Sequence, residues 1–145
     1  MHTLTRLVWL GSVTAFAAAS AGCGSKQSAA ADPVVAATQR LQGSWRVRSF
    51  TPEAQLEAPL QGLLNAQLGS LTVTFTGADY VASGPGIDVR GRFKVWSAGN
   101  DQLSGTVYDQ TNVAYRISGQ FQGPVFQFRS FDSPWQGQGE LERAQ

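Results

Sequence analysis

Apolar and polar residues alternate with a period of two along most of the chain after residue 43, a pattern typical of half-buried β-strands. The clearest case is residues 87–95, where Ile, Val, Gly, Phe and Val on one face oppose Asp, Arg, Arg and Lys on the other. Clusters of Gly, Pro, Asn and Asp separate the alternating segments and mark tight turns. The predicted strands are residues 44–50, 71–75, 80–83, 87–95, 103–108, 113–121, 125–130 and 135–142. Short strands joined by such turns predict an antiparallel meander.

A long interval breaks this alternation between the first and second predicted strands. Pro59 suits the first turn of a helix, and Gly69 is placed to end it. The leucines between them recur at helical spacing, so we expect one short helix whose leucines face the core. These leucines are Leu60, Leu63, Leu64 and Leu68. A short helical lead-in is also predicted over residues 34–41, just before the first strand.

The outward faces of the first and last strands carry charges of opposite sign. The first strand has Arg46 and Arg48 two residues apart. The last strand has Glu140 and Glu142 at the same spacing. Antiparallel pairing of these strands sets the charges opposite one another and removes the exposed sheet edges. We therefore predict an all-β domain over residues 41–145, an eight-stranded antiparallel up-and-down barrel with one short helix between strands 1 and 2.

The N-terminal segment has the three-part pattern of a secretory signal peptide. Arg6 precedes an apolar run over residues 7–19, and small residues lead from there to Cys23. This pattern resembles the lipobox of bacterial lipoproteins, in which lipid is attached to the thiol and cleavage makes the cysteine the first mature residue. We expect residues 1–22 to be a lipoprotein signal peptide, Cys23 to be lipidated and residues 23–40 to form a flexible tether.

The same resemblance implies a location in the cell envelope. In bacterial lipoproteins an Asp directly after the lipidated cysteine retains the protein at the inner membrane, and this chain has Gly24 there. We therefore expect a protein anchored by its acyl chains to the outer membrane and facing the periplasm. The alternative is an ordinary secreted protein whose cysteine is incidental.

Composition excludes several kinds of chemistry. The chain has 11 basic and 10 acidic residues, one His and one Cys. Loss of the leader removes His2 and leaves Cys23 as the only thiol, so neither a Ser-His-Asp nor a Cys-His arrangement can form, and nor can a metal site built on imidazole. A nearly neutral chain also lacks the basic excess of nucleic-acid-binding proteins. We expect no enzyme, no cofactor, no metal and no nucleic-acid partner.

Gly43-Ser44-Trp45, at the start of the first strand, resembles the G-x-W motif of the lipocalins and the wider calycin group. In that family the tryptophan packs at the closed end of an up-and-down barrel, and a basic residue near the last strand lies across it. Arg143 stands where that residue would be. The resemblance implies a compact lipocalin-like bacterial lipoprotein with Gly43, Trp45 and Arg143 at the closed end of its barrel.

The inward face predicted from the alternation combines aromatic residues with glycines. If the barrel is hollow, it takes a small hydrophobic ligand near the end opposite Trp45. The predicted ligand-binding residues are Phe75, Phe93, Tyr115, Phe126, Phe128 and Ser49. Tyr115 and Ser49 would supply the polar contacts. If the glycines only make room for the aromatic rings, the core is solid.

A solid core favours a second function, in which the outer surface docks another envelope protein, as an inhibitor or assembly factor does. The predicted basic patch for this role comprises Arg90, Arg92, Lys94 and Arg116. Trp96, directly after the predicted strand that carries three of them, is expected to be exposed. The sequence leaves both functions open.

Overall fold

A computed structural model describes residues 31–145, so Cys23, the predicted signal peptide and the first part of the predicted tether lie outside the described residues. The described residues form two helices, α1 (Pro33–Leu41) and α2 (Ala58–Leu68). Their strands are β1 (Gly43–Pro52), β2 (Thr72–Thr76), β3 (Asp79–Gly84), β4 (Ile87–Gly99), β5 (Gln102–Tyr108), β6 (Ala114–Gln122), β7 (Val125–Ser130) and β8 (Gly137–Arg143). Each strand pairs antiparallel with its neighbours in sequence, and β8 pairs with β1. The predicted closed up-and-down barrel, with a helix between its first two strands, is confirmed.

The pairing of β1 with β8 closes the barrel. Arg46 lies opposite Glu142 in the register of the two strands. Nε of Arg48 lies 3.8 Å from a carboxylate oxygen of Glu140. The predicted meeting of the first and last strands is therefore confirmed. Because Arg48 is exposed and Glu140 is only partly buried, their pair contributes roughly a few tenths of a kcal/mol. The backbone ladder and the buried inner face provide most of the closure energy.

A β-bulge in β1 changes which side chains face the barrel interior. The register shifts between Val47 and Ser49, so β1 has one more residue than β8 at this point. After the bulge Phe50 takes the inward position and is buried. Ser49 lies opposite Glu140, whose side chain is on the outer face. Ser49 was expected inside the barrel, and the extra residue places it outside.

Helix α1 covers the closed end of the barrel, where the β2–β3, β4–β5 and β6–β7 turns also lie. Ala37 and Leu41 of this helix are buried in the core. Gln42, which follows the helix, exchanges two hydrogen bonds with the backbone of Gly77 in the β2–β3 turn. Residues 33–41 are therefore helical and packed on the barrel, and they include the last residues of the predicted tether over residues 23–40. Residues 23–30 of that tether lie outside the described residues.

Aromatic side chains fill the half of the barrel next to α1. Trp45 is 1% exposed, and its Nε1 donates a hydrogen bond to the carbonyl oxygen of Leu41 at 2.7 Å. The Phe121 and Phe126 ring centroids lie 4.8 Å apart, and both rings contact the Trp45 ring. Gly119 makes room for them, since a Cβ at this position would lie 2.5 Å from Cε2 of Phe126. This half of the barrel is solid.

Helix α2 lies at the opposite end of the barrel and touches it with one narrow face. This face comprises Gln61, Leu64 and Leu68. These residues are three and four positions apart, so they lie on the same side of the helix. The Gln61 side-chain amide donates to the carbonyl oxygen of Phe50 at 2.9 Å. Two of the four leucines predicted to face the core are instead exposed, Leu60 by 52% and Leu63 by 62%.

Candidate binding site

A cavity of about 330 Å³ lies inside the half of the barrel farther from α1. Its apolar walls are formed by Val47, Phe50, Leu68, Leu71, Val73, Ala82, Ile87, Val89, Val107, Ile117 and Phe128. The volume is near the lower end of the roughly 300–1,000 Å³ typical of small-molecule sites. The sequence left open whether the barrel is hollow or solid. One half of the barrel is packed with side chains, and the other half is hollow.

The mouth of the cavity lies at the end formed by the β1–β2, β3–β4, β5–β6 and β7–β8 connections. Trp135, in the last of these connections, lines the cavity and is 56% exposed, so its ring borders both the cavity and solvent. Other exposed apolar side chains on these connections are Leu56, Leu60, Leu63, Val113 and Phe131. A molecule that approaches the cavity meets apolar surface before it enters.

Three of the polar side chains that line the cavity, Tyr80, Asp109 and Tyr115, form what we call the polar cluster. The Tyr115 hydroxyl donates to Oδ2 of Asp109 at 3.2 Å. Oδ1 of Asp109 accepts hydrogen bonds from the amide and hydroxyl of Thr111 at 2.8 and 2.7 Å, and from the amide of Val113 at 2.9 Å. These bonds fold the β5–β6 connection around the carboxylate and hold it at the cavity wall.

The environment of the polar cluster keeps its carboxyl group ionised and its phenols protonated. The hydrogen bond from the Thr111 side chain, followed by that from the Val113 amide, lowers the pKa of Asp109 below 3.8. Burial raises the pKa of Tyr80 above 10.0, and the negative charge of Asp109 raises it further. Burial and the hydrogen bond to Asp109 also raise the pKa of Tyr115. At neutral pH the cluster therefore carries one negative charge.

Gly91 allows Tyr80 to take its place in the cluster. Gly91 lies opposite Tyr80 in the β3–β4 ladder, and a Cβ at this position would lie 2.7 Å from Cε1 and 2.8 Å from the hydroxyl oxygen of Tyr80. It would also overlap the carbonyl oxygen of Tyr108. Any side chain at position 91 would therefore displace the Tyr80 ring or separate the strands.

The aromatic residues predicted to bind a ligand divide between the two halves of the barrel. Tyr115 and Phe128 line the cavity. Phe93 and Phe126 are buried in the packed core, and Phe75 lies edge-on against Phe93 with ring centroids 5.0 Å apart. The period-two pattern identified the face of each strand, but the depth of each residue along the barrel depends on strand register.

Sequence reasoning missed Tyr80 and Asp109 and named Ser49 as a polar contact. Ser49 instead lines a shallow polar depression together with Gln127 and Glu140. A signal for the Asp109 turn was present, since an Asp-Gln-Thr-Asn segment between two strands favours a side chain that bonds to its own backbone. That signal predicts a turn at Asp109, whereas the approach of Tyr80 to Asp109 depends on the pairing of β3 with β4.

At the closed end, Gly43, Trp45 and Arg143 lie together. The guanidinium carbon of Arg143 is 4.2 Å from the centroid of the Trp45 ring, and its nitrogens donate to the carbonyl oxygens of Arg40 and Gln42. Gly43 has φ of +99°, and a Cβ there would lie 2.8 Å from Nη1 of Arg143. The backbone conformation thus favours glycine at position 43, and a side chain there would also shift the guanidinium group that covers the tryptophan.

Within residues 31–145, no three or more His, Cys, Asp and Glu side chains are grouped so that they could hold a metal ion. Neither helix of this part of the chain is long and apolar enough to cross a membrane. No protein-family model, curated protein or solved structure matches the chain. The fold itself, a closed eight-stranded antiparallel barrel with a cavity at one end, is consistent with a calycin-like architecture.

Proposed function

We propose that this protein is a lipocalin-like binding protein that holds a small hydrophobic ligand in the barrel cavity. The observation that carries the proposal is the cavity of about 330 Å³, walled by hydrocarbon side chains, in a barrel whose other half is packed solid. Each methylene group of a ligand buried there contributes about 0.8 kcal/mol. If each non-hydrogen atom of a ligand takes about 30 Å³, the volume of a water molecule, a ligand of on the order of ten such atoms fills the cavity.

The position of the cavity supports a single route of entry. The aromatic packing around Trp45 blocks the closed end, whereas the exposed ring of Trp135 borders the mouth. A ligand that enters past this ring exchanges water for apolar contact from its first encounter with the protein. A matching ligand is a compact apolar molecule or one end of a longer one.

Native mass spectrometry of protein purified gently from its own membrane tests the proposal. The wild type should retain an apolar passenger. Ala82→Phe places a ring on the cavity wall and should remove the passenger while the fold survives. Gln120→Phe adds the same ring at an exposed position of β6 and should leave the passenger bound. If the wild type carries nothing and binds no added alkyl compound, the proposal is wrong.

We also propose that the domain is anchored to the outer membrane, facing the periplasm, by lipid on Cys23. The apolar run before this cysteine, the small residues beside it and Gly24 after it support the proposal. Intact mass should correspond to a chain that begins at Cys23 with added acyl groups, and Cys23→Ser should release the protein from the membrane. A soluble wild type with a free thiol would contradict the anchor.

Docking of another envelope protein is the second candidate, and the exposure of Trp96 is the observation that favours it. Its side chain is 56% exposed, next to a bulge in β4. The proposed basic patch comprises Arg90, Arg92, Lys94 and Arg116. Arg90 lies 3.4 Å from Asp88, and Arg116 lies 2.8 Å from Asp132. Two of the four charges of the basic patch are therefore already paired with acidic residues of the same domain. A binding defect confined to Trp96 variants, with no ligand in the cavity, would support docking instead.

A further inference from the structure

The polar cluster carries a charge that no cation among residues 31–145 pairs with. The ion pairs formed in this part of the chain do not include Asp109. Among the residues that the structure describes, three hydrogen bonds go to Oδ1 of Asp109 and only the one from Tyr115 goes to Oδ2. Because a carboxylate offers about four lone-pair positions, Oδ2 keeps an acceptor position open. Asp109 lines the cavity, so a bound ligand can use that position.

Tyr80 adds a second open acceptor beside the first. Its hydroxyl takes part in none of the side-chain hydrogen bonds formed within the described residues, although it lines the cavity. Gly91 lets the ring lie against the backbone, which fixes where the hydroxyl stands. Burial and the charge of Asp109 raise the pKa of Tyr80, so the hydroxyl stays neutral and its oxygen can accept a hydrogen bond.

We infer that the cavity selects ligands with an apolar body and a protonated amine at one end, which pairs with Asp109 and donates to the Tyr80 hydroxyl. This inference rests on the proposed function, because it specifies the class of ligand that the cavity takes. An ammonium group has three donors and no acceptor, which complements a site with open acceptors and a negative charge. A carboxylate at the same end of the ligand would be repelled by Asp109.

The position of the cluster keeps the cost of burying this charge low. Asp109 is only half-buried and belongs to a connection at the mouth, so an ammonium group there keeps part of its hydration. The apolar body then extends inward along Val107, Ile117 and Phe128. A charged end near water and an apolar end in the cavity avoid the large penalty of a fully buried ion pair.

Three compounds with the same ten-carbon alkyl chain test the inference when titrated into the full chain at neutral pH: decylamine, decanol and undecanoate. All three offer the same apolar body, so their affinities differ only through the end group. Decylamine should bind at least about tenfold more tightly than decanol, the scale of a hydrogen bond to a charged group. Undecanoate should bind more weakly than decanol. Tryptophan fluorescence reports binding, since Trp135 lines the mouth.

Asp109→Asn isolates the charge, because its amide oxygen can keep the three hydrogen bonds made by Oδ1. The preference for decylamine over decanol should fall to near one, because loss of the charge weakens decylamine binding far more than decanol binding. Asp88→Asn is the matched control, since it removes an exposed carboxylate at the same end of the barrel but outside the cavity. It should keep the full preference.

Tyr80→Phe provides an independent variant if Asp109→Asn disturbs the β5–β6 connection. It removes only the hydroxyl and should weaken decylamine binding severalfold while decanol binding persists. Equal affinity for amine and alcohol in the wild type would overturn the inference, and so would a full amine preference in both cluster variants. Either result leaves the hydrophobic-ligand function standing. If none of the three compounds binds, the proposed function itself fails.

Discussion

A larger side chain should stabilise the protein in the hollow half of the barrel and destabilise it in the packed half. Ala82→Leu adds three carbons to the cavity wall, which at about 0.8 kcal/mol each gives roughly 2 kcal/mol of additional burial. Fixing the longer side chain costs about 0.5–1 kcal/mol of that. We therefore expect the ligand-free variant to be about 1–2 kcal/mol more stable than the wild type.

Gly119→Ala adds one carbon to the packed half and should have the opposite effect. The new Cβ would lie 2.5 Å from Cε2 of Phe126, so the ring must move or the strands must separate. Overpacking of this kind costs about 1–3 kcal/mol, which exceeds the several tenths gained from a stiffer unfolded chain. Urea unfolding of both variants without ligand measures the difference. If Ala82→Leu destabilises the protein as much as Gly119→Ala does, the cavity is not available space and the reasoning fails.

Trp45→Ala removes the largest fully buried side chain and should lower the free energy of unfolding in urea by about 3–5 kcal/mol; a near-neutral result would contradict the packed closed end. Arg48 and Glu140 should couple by roughly a few tenths of a kcal/mol in a double-mutant cycle, and the coupling should vanish near 1 M salt. A coupling that persists in salt would refute this account of the pair. The hydrogen bond from the Arg116 side chain lowers the pKa of Asp132 from 3.8 to about 2. The ionised carboxylate therefore stabilises the fold above pH 3.8, and this stabilisation is lost as the pH falls from 3.8 toward 2. Asp132→Asn should flatten the dependence of Tm on pH across that window, and an unchanged slope would show that other groups produce it.

Much of the barrel could be predicted because period-two alternation is a local property of a strand. The predicted strand over residues 125–130 coincides with β7 (Val125–Ser130). The predicted strand over residues 87–95 falls short of β4 (Ile87–Gly99), which continues to Gly99 past a bulge between Val95 and Ser97. A bulge interrupts the alternation, so the pattern predicts the end of a strand at a point where the strand continues.

The candidate site was predicted less completely, because its residues meet only through pairing between strands. Tyr80 and Gly91 are opposite one another across β3 and β4, and Tyr115 reaches Asp109 across the β5–β6 connection. The alternation assigned Tyr115 to the interior. The alternation carried no information about the distance between Tyr80 and Asp109, because two strands, β4 and β5, separate these residues along the chain.

The sequence by itself determined the order, direction and inward faces of most strands, because these depend on side-chain periodicity and turn residues within short segments. The charges of Arg48 and Glu140 also indicated which two edges meet. Tertiary structure decided the rest. The extra residue before Ser49 moved that side chain outside, and strand register placed the aromatic rings together in one half of the barrel. The cavity is the volume those rings leave unfilled in the other half, a property of packing in three dimensions that no single segment contains.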